Sequence, residues 1–220
     1  MDSDYIDLYC ERVAPGLLGE PLNTLTNLFF LLAAFVLARR LRKDVRRGGW
    51  DDWLLTFLVA LVGIGSLVFH ALATVPTSAL DKLFIAAFIW TFFHRFLTRV
   101  AGLAAQVAMV GVLLFIAASW GLGRIVPHDA LNGSVLYLPA VLGLVGVTGW
   151  SVAKRRRGAR LFMAATALFV IALVFRSIDL AVCDVLPLGT HFVWHSLNAL
   201  VMFLCCTALR RASKTSWGTP

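Results

Sequence analysis

Two histidines four residues apart, His191 and His195, interrupt the apolar run HFVWHSL in the last part of the chain. On a helix, this spacing puts both imidazoles on one face, one turn apart, where they can reach the same metal ion. A lone pair of this kind is a weak signal, because a histidine in an apolar helix often only hydrogen-bonds to a neighbouring helix. The pair therefore leaves two interpretations open, a metal site and a structural polar contact.

The composition of the chain indicates that this pair lies in a membrane-spanning segment. The chain has 220 residues, of which 60% are hydrophobic and 15% are charged, whereas soluble domains contain about 25% charged residues. The apolar residues form blocks long enough to cross a hydrocarbon core of about 30 Å as helices. We predict an all-α membrane protein, a seven-helix bundle with spans at about 22–39, 53–73, 79–98, 101–121, 133–153, 160–176 and 189–209.

The basic residues are concentrated on one side of the predicted spans. Sixteen of the twenty Lys and Arg residues fall in the first, third and fifth connections and in the C-terminal tail. The positive-inside rule puts these segments in the cytoplasm and the N-terminus outside. The predicted organisation is an outer segment at 1–21, a transmembrane domain at 22–209 and a basic cytoplasmic tail at 210–220. The net charge of +8 is then a topological signal, and we expect no nucleic-acid partner.

The predicted orientation brings the polar residues of several spans to one depth near the outer face. Ser66 and His70 lie in the outer half of the second span, Asp81 lies at the start of the third, and His191 and His195 open the last. Three histidines can form a set with one open coordination position, as in catalytic zinc sites. Ionisable groups inside a membrane are costly and usually functional, so this convergence favours the metal interpretation. The first span contributes polar residues at the same level: Glu20, Asn23 and Asn27.

The set Ser66-x-x-x-His70, Asp81 and His191-x-x-x-His195 resembles the motifs of the alkaline ceramidase family. That family belongs to a wider superfamily of seven-helix membrane hydrolases, which also includes the progestin and adiponectin receptors. The segments DLYCE and EPLNTLTNL resemble the ceramidase N-terminus, so the resemblance covers essentially the whole chain. It implies an intramembrane hydrolase that cleaves ceramide into a sphingoid base and a fatty acid.

The resemblance implies a role for each of the five residues. His70, His191 and His195 would hold a zinc ion whose fourth ligand is a water molecule with a pKa lowered towards about 7. Asp81 would take the proton of this water and pass it to the leaving amine. Ser66 would donate a hydrogen bond to the oxyanion of the tetrahedral intermediate, and it would not be a nucleophile.

The family also binds calcium through acidic residues of its N-terminal segment, next to the zinc site. The resemblance implies calcium ligands at Asp7, Tyr9, Glu11, Val13 and Glu20, and hard oxygen ligands suit this ion. The match departs from the family pattern in three ways. Asp7 lies one position too early, the segment is shorter, and Val13 stands where an asparagine is expected. The alternative interpretation is a solvated acidic loop.

The connection before the last span contains a further cysteine and several charges. The family has a comparable disulfide bridge, which implies that Cys10 pairs with Cys183 on the outer side, where disulfides persist. Arg176, Asp179 and Asp184 lie in the same region. They could pair with one another, hold the loop, or meet a lipid head group, and structural pairing is the favoured interpretation.

Other functions stay open. A receptor-like member of the superfamily would share the scaffold and the metal, and a b-type haem protein would use the histidines as axial ligands. The excess of Arg over Lys favours a GC-rich bacterial source, in which another N-acyl lipid or an ester could replace ceramide as the membrane-lipid partner. For a bacterial protein we expect the inner membrane, with the site towards its outer side.

Overall fold

The computed structural model describes residues 4–16, 18–44, 49–127 and 130–213. Within these ranges the regular structure is helical, apart from an isolated β-bridge between Tyr5 and Thr74. The helices in these ranges are α1 (Pro21–Thr26), α2 (Leu28–Lys43), α3 (Trp50–Leu72), α4 (Val75–Arg99), α5 (Ala105–Ile125), α6 (Leu138–Ala153), α7 (Ala159–Ile178) and α8 (His191–Ser213). Short 3₁₀ turns at Ser134–Tyr137 and Leu180–Val182 precede α6 and follow α7.

Seven helical segments are long and apolar enough to cross a membrane, with α1 and α2 together forming the first. The sequence-based prediction of an all-α, multi-pass seven-helix protein is therefore confirmed. The orientation of its termini and the division into segments stay predictions, and residues 214–220 of the expected basic tail lie outside the described residues.

The seven segments differ in how far the bundle encloses them. In the most apolar stretch of each, 61% of α3 and 56% of α8 is buried, against 11% of α5. The α5 helix therefore presents most of its surface to lipid, whereas α3 and α8 form the centre. The two central helices also carry the three histidines singled out in the sequence.

Aromatic packing closes the middle of the bundle. Phe88, Phe92 and Phe96 follow one another at intervals of four along α4, so they share one face, and all three are buried. Phe162 of α7 packs edge-on against Phe92 and Phe96, with ring centroids 6.2 and 5.9 Å away. This apolar layer lies between the two ends of the bundle. We call the end where α1, α4 and α8 begin the site end, and the other the opposite end.

The N-terminal segment is fixed across the site end. The Ile6 amide donates to the Ala73 carbonyl at 2.8 Å, and the Val75 amide donates to the Asp4 carbonyl at 2.9 Å. The disulfide implied by the resemblance is present, since Cys10 and Cys183 are bonded with their Cα atoms 5.3 Å apart. The segment is thereby tied both to the α3–α4 turn and to the connection that leads into α8.

Candidate metal centre and lipid cavity

Three histidines from two central helices meet at the site end. His70 is in the last turn of α3, and His191 and His195 are in the first turns of α8. One ring nitrogen from each lies within 4.8 Å of the others. The ring centroids of His70 are 5.2 Å from His191 and 4.6 Å from His195, and all three side chains are buried. The structure thus brings together the three residues that the spacing and topology singled out.

Glu20 fixes the orientation of the His70 ring. The His70 Nδ1 atom lies 2.6 Å from Oε2 of Glu20. Because an ionised carboxylate can only accept hydrogen bonds, Nδ1 carries the proton and the Nε2 lone pair stays free for a metal. Carboxylates that orient a ligating histidine in this way are common beside metal centres.

Asp179 fixes the backbone from which His191 projects. Its Oδ1 atom accepts hydrogen bonds from the amides of Thr190 and His191 at 2.6 and 2.9 Å, which caps the N-terminus of α8. Its Oδ2 atom accepts the Cys10 amide at 3.1 Å. A side chain at Gly189, which has φ of +61°, would put its Cβ only 2.2 Å from Asp179 Oδ1. The close approach of Asp179 therefore requires glycine there.

Tyr9 covers the His191 ring from the N-terminal segment. The two rings are stacked with centroids 3.7 Å apart. The Tyr9 hydroxyl accepts a hydrogen bond from Nη1 of Arg176 at 3.1 Å. Burial raises the pKa of this hydroxyl, and the charge of Arg176 only partly opposes the rise, so Tyr9 stays a neutral phenol.

Ser66 and Asp81 line the same cavity as the three histidines. Ser66 lies one turn before His70 on α3, beside the Asp81 carboxylate of α4. The Oδ1 atom of Asp81 is buried and has no hydrogen-bond partner among the described residues. An acceptor held in this way is free to take a proton or a hydrogen bond from a molecule in the cavity.

The histidine cluster suits a first-row metal ion such as zinc. Imidazole nitrogens are typical zinc ligands, and three of them leave a coordination position open. All three side chains are buried, and one ring nitrogen of each lies within reach of a common ion. The donor set therefore fits a metal.

A cavity of about 960 Å³ extends from the histidines into the bundle. Beyond the polar residues its walls are mostly apolar, from α4, α6 and α8. The lining residues of α8 run from His191 to Cys205. The ten residue-to-residue steps from His195 to Cys205 span about 15 Å of helix. The cavity therefore combines a polar head with an apolar channel, which suits a lipid lying along the helices.

Arg176 provides a cation on the wall of this cavity. Its guanidinium carbon lies between 5.4 and 5.8 Å from the ring centroids of Tyr9, Tyr137 and Trp194. Its Nε atom is buried without a partner, and none of the salt bridges among the described residues involves it. The favoured pairing among Arg176, Asp179 and Asp184 is not found in the described residues. Asp179 holds the loop, which was one of the alternatives, by accepting backbone amides.

The residues implied as calcium ligands do not form an ion site together. The side chains of Asp7 and Val13 are exposed at the surface, that of Val13 by 85%. Glu11 is buried, but its two oxygens accept the amides of Leu22 and Asn23 at 2.6 and 2.7 Å. Glu11 therefore caps the first turn of α1, and its carboxylate is already satisfied.

Both oxygens of Glu20 are also hydrogen-bonded. Oε1 accepts from Arg12, and Oε2 accepts from His70 and Asn23. Burial alone would raise the pKa of Glu20, but the hydrogen bonds from His70 and Asn23 and the charge of Arg12 outweigh it and lower that pKa. The carboxylate is ionised and paired with a guanidinium. The implied calcium ligands thus do not fit the ion.

Arg12 is an important residue that the sequence analysis missed, and Asp179 was named there with ion pairing as its favoured role. Their roles depend on the path of loops, which hydrophobic periodicity does not specify. The only available signal was the presence of a single arginine within the acidic N-terminal segment.

A profile of the ceramidase family matches residues 6–217, which is nearly the whole chain. A search of curated proteins finds no match. The family match includes all three histidines, the serine and aspartate beside them, and both cysteines of the disulfide. On this match the chain belongs to the ceramidase family.

Proposed function

We propose that the protein is a zinc-dependent membrane hydrolase that cleaves the amide bond of an N-acyl lipid, with ceramide as the leading substrate. The observation that carries this proposal is the buried histidine cluster at the head of an apolar cavity. Family membership supports a hydrolase acting on a lipid amide. The positive-inside rule supports a site end that faces away from the cytoplasm.

In this proposal the three imidazoles of His70, His191 and His195 hold the zinc ion. When bound, the ion supplies Lewis-acid chemistry and acidifies a water molecule. Glu20 keeps the His70 ring in the tautomer that leaves Nε2 free. Asp179 and Tyr9 hold His191 by its backbone and by its ring face.

Asp81 and Ser66 carry the proton transfer and the charge stabilisation. The Oδ1 atom of Asp81, which has no hydrogen-bond partner within the described part of the chain, accepts the proton of the attacking water and delivers it to the departing amine nitrogen. The Ser66 hydroxyl donates a hydrogen bond to the carbonyl oxygen as this oxygen becomes negative. The apolar channel holds the acyl chain and keeps bulk water from the reacting carbonyl.

A second candidate substrate class is an N-acyl lipid with an anionic group near the amide, such as an N-acyl amino acid. The guanidinium of Arg176 on the cavity wall favours it, because its Nε is buried with no hydrogen-bond partner among the described residues, and a buried donor left unpaired is costly. A carboxylate on the substrate would satisfy Nε and form a charge-assisted hydrogen bond.

Fatty-acid release from a lipid panel by the purified, zinc-loaded protein tests both candidates. The panel contains ceramide, an N-acyl amino acid and an ester of the same chain length. Ceramide cleavage supports the first candidate. Preference for the N-acyl amino acid that Arg176→Gln reduces by about 10- to 100-fold supports the second, since a hydrogen bond to a charged group contributes about 1.5–3 kcal/mol. Arg176→Lys, which keeps the charge, is the matched control.

Two outcomes of this panel contradict the proposal. If only the ester is cleaved, the proposed amide chemistry is wrong. If zinc is bound but no lipid is cleaved, the receptor-like alternative replaces the hydrolase.

The role of Ser66 is tested separately. Ser66→Ala is expected to reduce turnover by about 10²- to 10³-fold, the usual effect of removing an oxyanion donor. Mass spectrometry of protein quenched during turnover should find no acyl group on Ser66. An acylated Ser66 would replace the water mechanism with a nucleophilic serine.

A further inference from the structure

Arg12 is an enclosed cation in the N-terminal segment. Its side chain has no exposed surface, and the Glu20 side chain beside it is 2% exposed. The guanidinium donates from Nε to Oε1 of Glu20, from Nη2 to the His70 carbonyl at 2.6 Å and from Nη1 to the Ala14 carbonyl at 3.3 Å. It thus joins the N-terminal segment to the last turn of α3.

The three acceptors around Arg12 are a carboxylate and two backbone carbonyls. Oxygen groups of these types are also the usual ligands of calcium in proteins. Gly19 lies against the guanidinium, since a Cβ there would be 2.7 Å from Arg12 Nη1 and 2.2 Å from the Ala14 carbonyl oxygen. The loop is therefore shaped closely around the arginine.

The resemblance to the ceramidases implied calcium in this region, with Glu20 among its ligands. Here the oxygen of Glu20 that faces the loop is bonded to Arg12, and both oxygens of Glu11 are bonded to backbone amides. A calcium ion bound to the same oxygens would be repelled by the guanidinium, because both are cations at contact distance.

We propose that the guanidinium of Arg12 is a built-in cation, which occupies the place of the calcium ion and makes the N-terminal segment independent of calcium. Arg12 neutralises Glu20, which is already held by His70, and its planar guanidinium also donates to the carbonyls of Ala14 and His70. The inference concerns this loop and holds whichever lipid bond the histidine site cleaves.

The first test measures calcium binding by the wild-type protein with zinc present. Equilibrium dialysis against radioactive calcium should find no bound ion at concentrations up to about 1 mM, the weak end of extracellular calcium sites. The thermal unfolding temperature should also be the same with and without calcium. One calcium ion bound per chain, or a calcium-dependent rise in unfolding temperature, overturns the proposal.

The second test removes the cation. Arg12→Ala leaves Glu20 without its buried counterion, which should lower the unfolding temperature by roughly 10 °C. Methylguanidinium at millimolar concentration should restore part of this loss by entering the vacated space, whereas potassium at the same concentration should not. An unchanged unfolding temperature for Arg12→Ala contradicts the proposal.

Matched variants separate this effect from a general loss of charge. Arg124→Ala removes an exposed arginine at the same end of the bundle and should leave the unfolding temperature unchanged. Arg12→Lys keeps the charge without the planar guanidinium, so its unfolding temperature should lie between those of the wild type and Arg12→Ala. If Arg12→Ala does not fold, the wild-type calcium measurement still decides the question, and it does not depend on any hydrolytic activity.

Discussion

The two ends of the bundle hold their charges in different ways. At the site end, the Arg12–Glu20 pair and the three histidines are enclosed. At the opposite end, Arg95 and Arg99 of α4 pair with Asp51 of α3, but the arginine side chains keep 20% and 19% of their surface exposed. Both sets of charges hold segments of the bundle together. Only at the site end are both partners of the ion pair shielded from solvent.

The partly exposed ion pairs of the opposite end hold helices together, whereas the enclosed charges of the site end belong to the candidate metal centre. Partly exposed ion pairs lose little hydration, and each contributes about 0–1 kcal/mol to the free energy of unfolding. Enclosed charges lose their hydration and are tolerated only with complete hydrogen bonding. Glu20 has that bonding because its carboxylate accepts from the Arg12 guanidinium, the His70 ring and the Asn23 amide. The enclosed end is therefore expected to affect metal binding and catalysis, whereas the opposite end affects stability alone.

The largest difference between the ends is expected for a histidine of the cluster. His191→Ala should lose bound zinc and reduce hydrolysis by about 10³-fold or more, because the metal contributes several kcal/mol to the transition state. His94→Ala, which removes a histidine of α4 towards the opposite end, should keep both. Metal analysis and fatty-acid release measure the two properties, and a His191→Ala variant that retains zinc and activity would refute the site.

Replacing the carboxylate of Asp81 should separate proton transfer from metal binding. Asp81→Asn is expected to reduce kcat by about 10²- to 10⁴-fold with zinc retained, since the amide cannot accept a proton. Asp184→Asn changes an exposed aspartate at the same end and should leave kcat as it is. An Asp81→Asn enzyme with normal kcat would show that another group transfers the proton.

Glu20 and Asp51 offer the most direct comparison of the two ends. Glu20→Gln should weaken zinc binding by about 10- to 100-fold, the usual effect of removing a carboxylate that orients a ligating histidine. Asp51→Asn, at the opposite end, should leave zinc affinity unchanged. Competition with a zinc-binding dye measures both affinities. Equal zinc affinities for the two variants would show that Glu20 does not support the metal site.

The disulfide is expected to act on stability more than on chemistry. Replacing both Cys10 and Cys183 by alanine should reduce the free energy of unfolding by about 2–4 kcal/mol. A reducing agent should destabilise the wild type by a similar amount and have no further effect on the double variant. Thermal unfolding in both redox conditions checks this, and an equally stable double variant would show that other contacts hold the N-terminal segment.

The smallest effect is expected at the opposite end. Arg95→Ala removes one of the two arginines paired with Asp51 and should change the free energy of unfolding by no more than about 1 kcal/mol. Zinc content and activity should stay at wild-type levels. A loss of zinc from this variant would mean that the two ends are energetically coupled through the bundle.

The sequence was sufficient for the features that depend on periodicity. Long apolar blocks predicted the seven spans, because a helix of about 20 apolar residues crosses the hydrocarbon core and satisfies its own backbone hydrogen bonds there. The four-residue spacing of His191 and His195, with the direction of each span, then brought His70 to the same depth. The structure places these three side chains together as expected.

The features that depend on loop path could not be predicted from the sequence. The path of the N-terminal segment decides whether Glu11 binds an ion or caps α1. It also decides which residues pair with Glu20. Arg12 has the same formal charge as the basic residues of the connections, but its environment is different. Asp179 accepts backbone amides instead of pairing with Arg176 because the connection before α8 folds tightly around it.

Zinc K-edge X-ray absorption on the purified protein tests directly whether the three histidines hold zinc. We expect one zinc per chain with nitrogen and oxygen ligands at about 2.0–2.1 Å, and imidazole scattering that corresponds to three histidines. The His191→Ala variant should lose this signal. A folded wild-type protein without zinc, or zinc with sulfur ligands at about 2.3 Å, would show that the histidine cluster is not a zinc site.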